Sequence, residues 1–479
     1  VMLSFQSQDA IVRRELSIDC PSELRLHSKL YPNGYLNFKR RSKAAQVKYE
    51  RSNDKQRHIQ RWSVVNQAAL SRERALPPAH SYLPTVVAWS GSWKDYTEQL
   101  ARSFDFASQG GKALNELLQA LKKMPDDTRL LSLRNHIERG VRRAGPYFTQ
   151  LPRYCLSPAE TTYNEAYGNS ADRAALYYAL LKALDYEPEL LLVSSSAELQ
   201  SLQKFTQSHP APNFFPELLV RVRSKQGDIW FNDQDQYGHL GGSSYEGMLA
   251  YSLTKKRFFR ISLPQSELSL SNKLITIDLQ PDGSAQIAYR IIYQGENYAG
   301  KNKFYSELTP EQRRRHYQSM LAELSQSATA VTDLKTEFQT YPGLLRFSAK
   351  VADFAVVSDG FYYFEFPEDL SRLLRPWGDE RIEPLYWPRS LRQQTELVIR
   401  LPSTYRTLEL CPQDYSWRSP DKLGEISIKR QKTASKNELR FLLEADLGAE
   451  IISADKYGEI LEVNRKLAQP ASRTVLLRK

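Results

Sequence analysis

The run from Ala174 to Leu184 carries Leu176, Tyr177, Tyr178, Leu180, Leu181 and Leu184 and is apolar on most of its helical faces. A helix without a polar side cannot lie on a surface, so this one must form the centre of a sizeable domain. The turn before it, Tyr167-Gly168-Asn169-Ser170-Ala171-Asp172, places Gly and Asn ahead of a small hydroxyl residue. That order marks a helix N-terminus. Backbone N–H groups there point outward unpaired and the helix dipole favours an anion, so a nucleophile on this turn would be activated.

The chain has 479 residues, which calls for two to four domains around such a centre. With 41% hydrophobic and 25% charged residues it can bury real cores and is not a disordered chain. No stretch approaches the roughly 20 apolar residues of a membrane span. The start, Val1 to Phe5, has no basic region followed by an apolar core, so no signal peptide is visible. Cys20, Cys155 and Cys411 lie far apart, without metal-ligand spacing or a disulfide framework. Residues 1–90 hold 15 basic and 7 acidic side chains, and so most of the net charge of +11. The basic density from Lys39 to Arg61, interleaved with Tyr49 and Trp62, admits an acidic-polymer surface, but no recognition motif accompanies it. The solvated face of a β-sheet is therefore the preferred reading, and nucleic acid is not expected as a partner.

Three segments follow from the patterning. Residues 1–90 read as short alternating strands punctuated by Pro, Asn and Gly, an antiparallel sheet or half of a sandwich. The stretch Ala75 to His80, with Pro77-Pro78, suits an extended spacer. Residues 91–265 open with a helix from Trp93. Further helices are expected from Leu114 to Leu121 and from Thr128 to Val141, the latter capped by Asp126-Asp127. After the buried helix come a strand from Glu189 to Val193 and a polar loop from Ser194 to Pro212. A hairpin of Leu218 to Arg223 and Ile229 to Asn232 then closes the segment. Residues 266–479 read as mostly strands with one helix, Pro310 to Leu324, capped by Thr309 and carrying a solvated Arg313-Arg314-Arg315. Lys456 to Leu467 also has a helical look. The fold class is α+β, a helix packed against antiparallel hairpins and flanked by two β-rich segments.

The turn at Tyr167 to Asp172 resembles the nucleophile turn of the transglutaminase-like superfamily, in which Tyr-Gly-Asp-Cys opens the buried core helix. The resemblance also covers Trp230 on the second hairpin strand. The segment before the core and the one after it are similar to the β-rich domains found around such cores in bacterial secreted or periplasmic proteins. The family works with a Cys at the helix N-terminus, a His on the first hairpin strand and an Asp on the second. The thiolate attacks a carbonyl, the imidazole lowers the thiol pKa, and the carboxylate fixes the imidazole tautomer. In this chain the resemblance puts Ser170 in place of the Cys, Glu217 in place of the His and Asn232 in place of the Asp. It thereby implies a pseudoenzyme without catalytic residues. Its cleft would be lined by Tyr154, Tyr167, Gly168, Asn169, Asp172 and Trp230 and would hold a peptide or protein partner.

An active amidase or peptidase remains the alternative, using Ser170 with Glu217 as base, or Cys155 with His209. A serine needs a positioned base, and a carboxylate serves only with a pKa raised by desolvation. Asp233, Asp235 and His239 form a polar loop without ligand-grade spacing, so no metal and no cofactor is expected. The family likeness implies the periplasm or cell surface, and three long segments suit a subunit of a larger assembly.

Overall fold

The structure is a computed structural model that describes residues 1–479 apart from 39–41, 54–55, 153–154, 195–198, 225–226, 375–377, 389 and 406. The first 90 residues form two three-stranded antiparallel sheets. One places Thr85–Ser90 between Met2–Ser4 and Leu26–Tyr31, and the other places Arg57–Gln67 between Ile11–Pro21 and Lys48–Asn53. Phe5, Ile11, Trp62, Val64 and Val86 fill the space between them. The basic side chains meet carboxylates on the outer face. Glu15 holds Arg13 (2.6 Å) and Arg61 (3.0 Å), Glu50 holds Lys48 (2.6 Å), and Asp19 holds Arg57 (2.7 Å). Such exposed pairs stabilise little, about 0–1 kcal/mol each. They engage four of the segment's fifteen basic side chains, and residues 39–41 and 54–55 of the basic stretch lie outside the described residues.

The stretch around Ala75 is not a free spacer. Arg381, whose side chain is fully buried, donates to the Arg74 carbonyl (2.9 Å) and pairs with Glu73 at 3.4 Å. The Tyr386 N–H donates to the Ala75 carbonyl (2.8 Å), and Glu73 accepts the N–H groups of Ile382 and Glu383. Residues 79–82 then form one helical turn. Pro78 is extended as expected, its carbonyl accepts from Ser81, and the Arg74 and Ala75 carbonyls are taken up by the C-terminal segment.

Residues 91–265 pack helices against a five-stranded antiparallel sheet. Its order is Gly227–Phe231, Glu217–Ser224, Glu189–Val193, Leu249–Ser252 and Arg257–Arg260. Helices Trp93–Ala107, Lys112–Lys122, Asp126–Gly140 and Ser170–Ala183 lie where apolar spacing places them. The first opens on a capping box between Ser92 and Asp95. The Asp126 helix departs from expectation at its start, because Pro125 is its N-cap and makes no side-chain cap. Asp126 and Asp127 occupy the first turn instead, where their charges complement the dipole. The stretch expected as polar loop contains a helix, Gln200–Ser208, anchored by Leu202 and Phe205. The strands Leu249–Ser252 and Arg257–Arg260 are also additional.

In residues 266–479 a long mixed sheet runs from Ala328–Ala330 to Tyr415–Arg418. Its one parallel ladder joins Leu270–Leu279 to Leu391–Arg400. A four-stranded sheet built on Phe361–Glu365 and Thr474–Arg478 faces it, and Tyr362, Phe364 and Val475 share a core with Ile275 and Phe441. Among the described residues this segment holds three helices: Pro310–Leu324 and Tyr457–Ala468 lie where the sequence places them, and Gly295–Glu307 is additional. Thr309 caps the Pro310 helix, while Arg314 and Arg315 pair with Glu311 on its solvated side. The fold class is α+β, and no helix among the described residues is long and apolar enough to cross a membrane.

Candidate functional site

The helix Ser170–Ala183 is buried on nearly every face, as its composition demands, and lies against Leu218, Val220 and Phe231 of the hairpin. Asn169 is its N-cap. The Asn169 side chain accepts the N–H groups of Ala171 (2.8 Å) and Asp172 (3.1 Å), and Asp172 accepts the Asn169 N–H (3.2 Å). This capping box is worth about 1 kcal/mol. The other carboxylate oxygen of Asp172 accepts the Ser157 N–H at 2.7 Å, tying down the approach to the turn. Gly168 is required by close packing, since a Cβ there would sit 2.9 Å from both Thr162 Cγ2 and Asp172 Cβ.

Ser170 therefore sits at the first position of the helix, 4% exposed. Its Oγ accepts the Leu218 N–H (3.2 Å) and lies 3.4 Å from Asn232 Nδ2. The same Asn232 amide donates to the Ser170 carbonyl (2.7 Å) and to the Leu218 carbonyl (2.6 Å). Two carbonyls facing one nitrogen fix the orientation of that amide. Asn232 is a staple between helix and strand, held at φ 71°, a left-handed conformation that Asn tolerates. Among the described residues none of the seven histidines of the chain is a partner of Ser170. Glu217 comes to the same cleft and is paired with Arg143.

That cleft has a volume of about 580 Å³. Of the residues expected on it, the structure places Asn169, Ser170 and Glu217 there, and adds Arg143, Tyr147, Gln150 and Tyr245. Arg143 arrives through a two-residue parallel bridge, Arg142 and Arg143 against Tyr167 and Gly168. Burial first, and then the charge of Glu217, push the Tyr245 phenol up from its ordinary pKa. Gly168 and Asp172 shape the turn without lining the cleft, and Tyr167 is half exposed beside it. Tyr154 lies outside the described residues.

Trp230 faces the other way. Strand alternation sends Ile229 and Phe231 to the helix and Trp230 to a separate cluster with Leu191, Leu219 and Ile261. There the Arg221 guanidinium covers it at 5.6 Å. Arg221 also pairs with Glu189 (2.5 Å). Burial alone would raise the Glu189 pKa, but hydrogen bonds from Ser252, Arg221 and Lys255 hold it down at about 2.

Cys155 and His209 do share a cleft, a second one, yet the imidazole is engaged elsewhere. His209 Nδ1 bonds the Phe205 carbonyl (2.7 Å) and Nε2 bonds the Tyr31 hydroxyl (3.1 Å). The carbonyl can only accept, so Nδ1 carries the proton and Nε2 accepts. Burial lowers the His209 pKa and keeps the ring neutral. In the polar loop, Asp235 pairs with Lys303 (3.1 Å) and His239 with Glu267 (2.9 Å). Among the described residues no group of His, Cys, Asp and Glu is placed to hold a metal.

No family model and no curated protein matches the chain. Among solved structures, a putative protease from Parabacteroides distasonis superposes at TM-score 0.58 with 15% identity, over 100% of this chain and 75% of that one. A putative cysteine protease from Cytophaga hutchinsonii, at 12% identity over 48% of this chain and 73% of its own, reaches TM-score 0.19, too low to add to the argument. At such identity the first likeness is one of fold. It agrees with the α+β fold class, shared over the whole of this chain.

Proposed function

We propose that the chain is a catalytically degenerate transglutaminase-like protein in which residues 91–265 hold a peptide in the cleft beside Ser170. Residues 1–90 and 266–479 would be the flanking domains of this binding module. What supports the reading is the use made of Asn232. Where the family places a carboxylate to orient an imidazole, an amide donates to two backbone carbonyls, 2.7 and 2.6 Å away. An amide so engaged has no part in proton transfer, and the neighbouring Glu217 is held by Arg143 rather than by Ser170. A serine without a base is a poor nucleophile. The cleft keeps exposed Tyr147 and Gln150 beside the Arg143–Glu217 pair, a lining suited to a peptide with both polar and apolar side chains. By the same family likeness the compartment would be the periplasm or cell surface, which fractionation checks.

The test treats the full chain with a fluorophosphonate and, separately, with iodoacetamide, followed by mapping of the modified residue. A dye-labelled pool of hexapeptides is then titrated. The expected result is no fluorophosphonate adduct on Ser170 and saturable peptide binding that weakens in Tyr147→Ala and Gln150→Trp. Stoichiometric labelling of Ser170, abolished by Ser170→Ala, would place an enzyme here and sink the proposal.

A further inference from the structure

The second cleft has a volume of about 590 Å³ and lies where the sheet of Leu26–Tyr31 and Thr85–Ser90 meets the helices of residues 91–265. Its walls are aromatic, from Trp89, Tyr96, Phe148 and Phe214, and aliphatic, from Leu151 and Leu156 among others. One quarter of the chain is charged, yet no Asp, Glu, Lys or Arg is among the described residues that line this cleft. The α-amino group of Val1 reaches its edge and is engaged by the Ala88 carbonyl at 2.7 Å. His209 contributes an imidazole that is 2% exposed and already bonded on both nitrogens. The Ser170 cleft offers the contrast, with Arg143 and Glu217 facing in.

We propose that this second cleft binds an uncharged, largely apolar small molecule. The volume is that of an ordinary ligand site, about 300–1,000 Å³. The lining selects by charge. A charged group entering it would lose its hydration and meet no counter-charge on the side chains of the described lining residues, whereas an apolar ring or chain would be driven in by the surface it hides. The aromatic walls add ring faces and edges to which a planar ligand can pack. The one-turn helix Phe148–Gln150 is the partition between the two clefts. Phe148, Thr149 and Leu151 face the apolar side, while Tyr147 and Gln150 face the Ser170 side.

Cys155 supplies the assay. It is exposed and lies on this cleft, while Cys20 and Cys411 are buried at 6% and 7% exposure. N-phenyl-1-naphthylamine, a neutral apolar fluorophore, is titrated into the full chain, and the rate of Cys155 alkylation by iodoacetamide is followed with and without it. Saturable one-site binding that slows alkylation about tenfold is expected. Leu151→Glu, at a half-buried wall position, should weaken the fluorophore at least about tenfold, while Gln150→Glu on the other side of the partition leaves it unchanged. Absence of saturable binding overturns the proposal. So does binding that neither slows Cys155 nor responds to Leu151→Glu. If Leu151→Glu fails to fold, Cys155 protection in the unaltered chain decides alone. Among the described residues the two clefts share no lining residue, so either outcome leaves the Ser170 reading standing.

Discussion

Replacing Asn232 by Asp restores on paper the residue type that the family uses, and the structure says that it should do harm. Asn232 is 3% exposed, and its amide donates to the Ser170 carbonyl at 2.7 Å and to the Leu218 carbonyl at 2.6 Å. An ionised carboxylate has no donor, so both carbonyls lose their partner, at about 1 kcal/mol or more each. It would also hold negative charge against two carbonyl oxygens in a buried place, and it escapes by binding a proton at a cost of about 1.4 kcal/mol for every unit its pKa rises. With a rise of about two units the total at pH 7 is about 5 kcal/mol. A carboxyl whose folded pKa is raised is tolerated below its unfolded value and penalised as pH climbs through the folded one. The loss should therefore shrink to about 2 kcal/mol near pH 4, where the protonated oxygen can donate to one carbonyl. Global unfolding of so long a chain is unsuitable as a readout, because it need not be two-state. Amide exchange of Leu218 and of the Ser170–Ala183 helix reports the local opening, and protection should fall by three to four decades at pH 7. Protection in Asn232→Asp within tenfold of the parent at pH 7, or a larger loss at pH 4 than at pH 7, would refute the staple.

Three further outcomes are expected. Gly168→Ala forces a Cβ to within 2.9 Å of Thr162 and Asp172 and should loosen the turn by about 1–3 kcal/mol, seen as faster exchange at Ala171 and Asp172. Burial raises the Asp233 pKa from 3.8 to about 6, so its contribution is full below 3.8 and is lost as pH rises through about 6. Asp233→Asn should thus leave amide exchange around Gln234 nearly unchanged at pH 4 and slow it at pH 7, by an amount worth up to about 3 kcal/mol. Arg381→Ala strips the Arg74 and Pro384 carbonyls of a fully buried donor, which costs about 3–5 kcal/mol, and should open the stretch around Ala75 to limited proteolysis.

The parts of the site that sequence could reach are those built from neighbours in the chain. The Asn169 cap, the all-round apolar helix after it and the hairpin of Leu218 to Phe231 each carry a local period or turn signal. The same period of two also held the answer for Trp230, since a strand that sends Ile229 and Phe231 to the helix must send Trp230 away. Arg143 had no such signal. It reaches the cleft through a parallel bridge to Tyr167 and Gly168, a pairing that only the tertiary fold creates. The helix Gln200–Ser208 hides among glutamines and serines, with Leu202 and Phe205 as its main buried apolar anchors. Gly295–Glu307 carries Gly295 and Gly300, poor helix formers, and is held instead by Tyr298 and Tyr305 against Phe338.

The polar loop after Asn232 connects these observations. It leaves the staple at Asp233 and is gripped on both sides. Arg134 of the core donates to the Gly238 carbonyl (2.9 Å), and Asn302 of the C-terminal segment donates to the Tyr237 carbonyl (2.8 Å). Lys303 pairs with Asp235 (3.1 Å), and the His239 ring stacks on Tyr341 at 4.0 Å. A loop of this composition has little reason of its own to hold one shape, because each residue it orders costs about 1–2 kcal/mol of backbone entropy. Its shape is imposed by a core helix on one side and by the helix Gly295–Glu307 on the other. The position of Asn232, and through it the Ser170 carbonyl, therefore depends on contacts made more than sixty residues further along the chain. Asp235 and His239, which the sequence places in a polar loop without ligand-grade spacing, are the attachment points by which the C-terminal segment holds the loop that follows Asn232.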